Sequence, residues 1–193
     1  YCSGGGESLW NRFFNDTSVQ VNQAKAHCPL IRYGQKMYSF RHKTLAAFLV
    51  AQRLWAGLNN VEEAKATKAM WSARLLVEEP LVMGFLADHI KAEPRYIDLL
   101  RELILRSRST CDRDSAMVAA NAISLLNAAG VSFSIWDLRY VRIPRADLSH
   151  AILDYADLTG ADLTGVRLRD AFLRETNFVD ANLTGVTLGA LPN

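Results

Sequence analysis

Cysteine is scarce: Cys2, Cys28 and Cys111 are the three in 193 residues, and none lies in a C-x-x-C or Cys/His metal pattern. This excludes a disulfide-stapled mini-domain or a zinc module, and it predicts free thiols in a reducing, cytoplasmic setting. Long apolar runs are also lacking. None approaches the roughly 18 residues of a membrane helix and no signal peptide is visible, so no membrane partner is expected. Charge of one sign is missing too. A net +2 at pH 7 points to neither nucleic acid nor a polyanionic surface as partner. No G-x-x-x-x-G-K-[ST] loop occurs, and CSGGGES at 2–8 has neither the lysine nor a preceding apolar strand, so it reads as a flexible terminus. Tyr1 stands where a Met would begin a whole chain, which reads as a piece of something longer.

What is present is a period of five. ADLTGADLTG (156–165) extends in both directions to twelve consecutive pentads, from Val131 to Ala190. Their third residues are Phe133, Leu138, Ile143, Leu148, Leu153, Leu158, Leu163, Leu168, Leu173, Phe178, Leu183 and Leu188, all large and apolar. The first residue is Ala, Val or Thr except at Trp136. Five residues advance a helix by about 500°, so its apolar positions would wander round the axis. A flat strand would flip them from face to face. A backbone that turns a corner every five residues keeps the first and third residues inside, and four corners give a coil of twenty.

Residues twenty apart then lie above one another, which stacks Asp154 on Arg174, Arg142 on Asp162, Asp147 on Arg167 and His150 on Asp170. The same spacing puts Ile135 with Tyr155 and Ile152 with Phe172 on one outer side, which is apolar while the other three are polar. These pentads resemble the pentapeptide-repeat family, and that resemblance implies a right-handed quadrilateral β-helix of about three coils. The last coil, with Leu183, Leu188 and Leu191, and the apolar side with Ile135, Ile152, Tyr155 and Phe172 are the expected interaction surfaces.

Upstream, helical spacing runs through 43–58, roughly 67–79, 80–92, 94–107 and 112–130. Pro80 and Pro94 suit first turns, Asp114 or Ser115 the start of the last helix, and Gly130 its end. That last helix is expected to lid the first coil, because a solenoid end needs a cap, with Trp136 filling the junction. Residues 1–39 read as two helices and then a short hairpin through LIRYGQKMYSF. The expected fold is α plus β-solenoid, an N-terminal all-helical region and then the β-helix. Its parts are a winged-helix-like remnant (1–58), a helical linker capping the solenoid (59–130) and the repeat (131–193).

CPLIRYGQKMYSFRHKTLAAFLVAQRLW (28–55) resembles the end of the winged-helix region of NACHT-type STAND ATPases, matching at Phe40, His42, Lys43, Thr44, Leu45, Phe48 and Ala51. Ala46 and Ala47 replace the Gln-Glu pair of that pattern. The resemblance implies a stretch that links the switch region to a downstream domain. It also implies that His42 contacts ADP phosphates in the context of a parent ATPase.

Chemistry of other kinds is not legible. No second pair follows His27-Cys28, His89 beside Asp88 reads as surface, and His150 is taken up by Asp170. Arg101, Arg106, Arg108 and Arg113 read as a solvated, helix-ending cluster. No catalytic residue, metal or cofactor is therefore expected in this chain, and the expected partner is protein. A DNA-mimicking, topoisomerase-binding repeat is the alternative. It asks for a long acidic rod, whereas eight carboxylates against six arginines leave 131–190 at only −2.

Overall fold

The computed structural model describes residues 30–33, 37–59, 69, 71–110 and 112–189. Cys2, Cys28, Cys111, His27, the 2–8 glycines and Leu191 lie outside the described residues. The chain divides into two compact units, Tyr1–Ala47 and Phe48–Asn193.

In the first unit, β1 (Leu30–Tyr33) pairs antiparallel with β2 (Met37–Phe40), with Leu30 opposite Phe40 and Tyr33 opposite Met37. The N-terminal region is therefore not all helical. Its aromatic and β-branched residues favour a pleated pair there. Helix α1 (Lys43–Asn59) starts directly after, with the His42 carbonyl accepting from the amides of Leu45 (3.2 Å) and Ala46 (3.4 Å).

The second unit holds the rest of α1, then α2 (Pro80–Ala92), α3 (Arg95–Arg106) and α4 (Arg113–Ala128). Pro80 opens α2, where its missing N–H costs no helical bond. Asp112, not Asp114 or Ser115, caps α4, accepting from the Ser115 amide at 2.6 Å. Gly130 leaves the helix at φ 81°. Trp55 is buried against Tyr96 (4.1 Å between ring centroids) and stacks on His89 (4.9 Å), whose ring also bonds Gln52 (3.1 Å). His89 is thus a packing residue and not a surface one.

Every residue from Val118 to Leu126 is buried, so α4 is the central helix, covered on all sides. The helix expected over 67–79 is cut short. Residues 71–73 are helical, Leu75 is extended, and a 3₁₀ turn occupies Leu76–Glu78. The cause is Asn121 of α4. Its carbonyl accepts from the Leu76 amide (2.7 Å), and its amide donates to the carbonyls of Trp71 (2.6 Å) and Arg74 (2.9 Å). Bonds that would continue the helix are spent on a residue more than forty positions away.

From Phe133 onward the backbone repeats one arrangement. Parallel bridges join Asp137 to Asp157, Arg142 to Asp162, Asp147 to Arg167 and Ile152 to Phe172, then Asp157, Asp162 and Arg167 to Asn177, Asn182 and Thr187. Every step is twenty residues. Third-position amides donate forward one coil (Leu138 to Asp157 O, 2.8 Å; Leu163 to Asn182 O, 3.0 Å), and second-position amides donate back (Asp162 to Val141 O, 2.8 Å). Little of this is sheet. Each side contributes a single bridge rather than a strand, because each pentad spends residues on its corner.

At that corner the first residue of the next pentad donates to the third residue of the pentad before it, as from Trp136 to Phe133 O (3.1 Å) and Ala161 to Leu158 O (3.0 Å). The fifth residue has positive φ at every corner from 135 to 185, the sign pattern of a type II turn. Glycine holds this position at 160, 165 and 185, but eight non-glycine residues hold the others, beginning with Ile135 at φ 59°. A β-branched residue is the least suited to left-handed backbone. Ile135 is 80 % exposed and has little packing to lose. Ile135→Gly is expected to stabilise the protein by about 1 kcal/mol in urea denaturation; a loss of stability would show that the side chain contributes packing after all.

Candidate interaction surfaces

The repeat has a head end against the helices and several outer faces, and these are finished differently. At the head end, backbone groups that would face an earlier coil are met by side chains of the helices. The Ser107 hydroxyl accepts from the Arg142 amide and the Ser124 hydroxyl from the Asp147 amide, both at 2.9 Å. The Asn127 amide donates to the carbonyls of Asp147 (3.2 Å) and Ser149 (2.9 Å), and Arg108 donates to the Asp137 carbonyl (2.6 Å). Ser107 and Ser124 are themselves buried and donate back into their own helices, to Ile104 O (2.6 Å) and Ala120 O (2.7 Å). Trp136 lies at this junction, edge-on to Phe133 (5.2 Å) and under Arg101 (4.7 Å).

Several faces are mostly polar, and on them many of the second residues are Asx that fold back on their own pentads. Asp157 and Asp162 accept from the amides of Thr159 (3.0 Å) and Thr164 (3.2 Å), and Asn177 and Asn182 from Val179 and Thr184, both at 3.1 Å. The Thr159 hydroxyl bond holds the Asp157 carboxyl below the usual carboxylate range. Asp137 is held well below it, chiefly by the Arg139 guanidinium, which reaches it at 2.8 Å.

Stacked charges pair only in part. Asp147 and Arg167 approach to 3.5 Å, and His150 and Asp170 to 3.9 Å. The Arg142 guanidinium instead donates to Thr110 O (3.2 Å). Arg174 lies over the Tyr155 ring (5.1 Å), while its backbone amide takes Asp154 (3.1 Å). The arginine cluster disperses in the same way: Arg101 goes to Trp136, Arg106 to Glu102 (3.8 Å) and Arg108 to Asp137.

Another face carries Ile152 bridged to Phe172, with Ile135 and Tyr155 beside it, all exposed. The interior is filled from Phe133 to Leu168 by the buried third residues, with Ala or Val between them from Val141 to Val166. Burial then fades along the stack. Leu173 and Phe178 are half-buried, while Leu183 and Leu188 are 46 % and 64 % exposed.

His42 is exposed at the start of α1, and among the described residues no group of three His, Cys, Asp or Glu could hold a metal. A groove of about 470 Å³ runs between α2, α4 and the first coil, with Asp88, Lys91, Asp147 and His150 on its wall. It has no nucleophile and base in contact. Among the described residues, no helix is long and apolar enough to cross a membrane.

Coils that stack through parallel bridges at one fixed interval, over a shared apolar interior, define a repeat solenoid. The family model for pentapeptide repeats matches this segment in eight copies, over residues 137–170, 145–178 and 161–189. Asp137–Gly189 is thus a pentapeptide-repeat segment of the β-helix type, and the helices and hairpin lie upstream of the match. No curated protein matches the chain.

Proposed function

We propose that the chain is a non-catalytic scaffold, a protein-interaction module in which a helical cap holds one end of a short pentapeptide-repeat stack. The observation that carries this reading is the Ile152–Phe172 side. It is an apolar strip joined by Ile135 and Tyr155, on a body whose other faces are dressed mostly with Asp, Asn, Thr and Arg. Flat, regular sides suit contact with another protein, and among the described residues of the groove no nucleophile and base are paired. In its finer form the repeat is a right-handed, four-sided β-helix of about three coils. The chain then joins the switch region of a NACHT-type STAND ATPase to a further domain, in the cytoplasm. The F-x-H and Lys43-Thr44-Leu45 match supports that form, as does His42 at the helix start, from which it would reach ADP held by the parent's other elements. The topoisomerase-binding alternative is disfavoured by sides whose carboxylates are interleaved with arginines, as at Asp147 and Arg167.

Quantitative cross-linking in cells tests the proposal. Ile152→Ser/Phe172→Ser should keep the parent's melting temperature and lose the cross-links that the apolar side makes to its protein partner. An unchanged set of cross-links would refute the assignment of this side.

A further inference from the structure

We propose that the groove between α2, α4 and the first coil binds a small aromatic amine, its ring seated on Gly84 and its ammonium held by Asp88 and Asp147. Neither Ile152 nor Phe172 lines this groove, so the site stands or falls apart from the scaffold's apolar strip. At about 470 Å³ the groove has the size that small ligands occupy.

The seat is a bare stretch of helix. Pro80, Gly84, Ala87, Asp88 and Lys91 recur at helical spacing on one face of α2, and that face lines the groove. Glycine in the middle of a helix costs stability that alanine would keep. Packing does not ask for it at 84. Among the described residues, and its own helix backbone aside, no atom lies within 4 Å of where a Cβ would stand. A bare glycine elsewhere in the chain receives an aromatic ring: Tyr140 lies so closely on Gly160 that a Cβ would meet its ring carbons at 2.6 Å. Gly84 offers the same kind of flat seat, flanked by Val77, Met83, Ala87 and Ala128.

The polar wall is rich in acceptors. Asn127 spends both amide N–H groups on the carbonyls of Asp147 and Ser149, which leaves its Oδ1 to accept. Asp147 takes the Ser149 amide at 3.0 Å and Arg167 at only 3.5 Å, while Asp88 has Lys91 at 3.7 Å. Long pairs that reach water are weak, so both carboxylates keep lone pairs for a charged donor. Asp88 stands one turn, about 5.4 Å, beyond Gly84, and helical side chains lean back toward the N-terminus. An ammonium two carbons from a ring spans that distance.

Titration of the 193-residue chain with 2-phenylethylamine, followed by amide NMR shifts, provides the test. Saturable shifts are expected at 84–91 and 127–128, with a dissociation constant of about 1 mM or below. The ring-matched 3-phenylpropionate, with a carboxylate in place of the ammonium, should not saturate over that range. Gly84→Leu covers the seat with a better helix former. Its melting temperature should not fall, while binding weakens about tenfold or more. Asp88→Asn, at an exposed helix position, should also weaken binding about tenfold. The proposal is overturned by an amine that gives no saturable shifts, by a propionate that binds as well, by shifts that lie elsewhere, or by either variant binding like its parent.

Discussion

Leu163→Arg is expected to abolish the cooperative melting of the repeat. Leu163 is 1 % exposed, with Ile143 one coil before it and Leu183 one coil after. The positions that share its interior are Phe, Leu, Ile, Ala and Val, so a guanidinium there finds no acceptor. Burying an unpaired charge in such a place costs more than about 4 kcal/mol, a large share of the stability of an ordinary domain. The natural control is Leu183→Arg, the same pentad position on the same side, whose side chain already reaches water. It should cost no more than about 1 kcal/mol. Thermal circular dichroism compares the two, and a Leu163→Arg protein that melts like its parent would mean that this leucine does not face the core.

Asn121→Leu is the second substitution with a large expected effect, about 2 to 4 kcal/mol in chemical denaturation. The shapes are similar, so volume is not the issue. Leucine removes three hydrogen bonds at once and leaves the Leu76 amide and the Trp71 carbonyl without partners in the interior. Relaxation of 71–79 into a continuous helix is the one route to re-pairing them, and it would pull Trp71 and Leu76 out of their buried places. A variant as stable as the parent would show that this rearrangement is cheap.

The repeat was legible because its period is exclusive: apolar residues at every fifth position suit neither a helix nor a flat strand. The stacking interval followed by arithmetic, and with it the polar and apolar sides. Partner choice did not follow. Arg142 and Arg174 stack where twenty-residue spacing puts them, yet the helix terminus and an aromatic face offer contacts that compete with an exposed carboxylate, whose pull in water is weak. The head-end cap was legible as a helix but not as chemistry. Ser107, Ser124, Asn127 and Arg108 look like any polar residues in a helical pattern, and only their opposition to an unfinished coil gives them a role. The break before Leu76 was hidden for a related reason, since local propensity over 67–79 is overruled by one distant asparagine. At the corners, nothing in Ile135, Tyr140 or His150 announces left-handed backbone.

The side-chain cap on the first coil has a consequence for where the stack is vulnerable. Coil one meets donors and acceptors already fixed by packed helices, whereas each later coil has only its predecessor as a template. The first coil therefore carries pairing that depends on the helices and not on another coil. A substitution at Asn127 or Ser124 removes pairing that no other coil can supply.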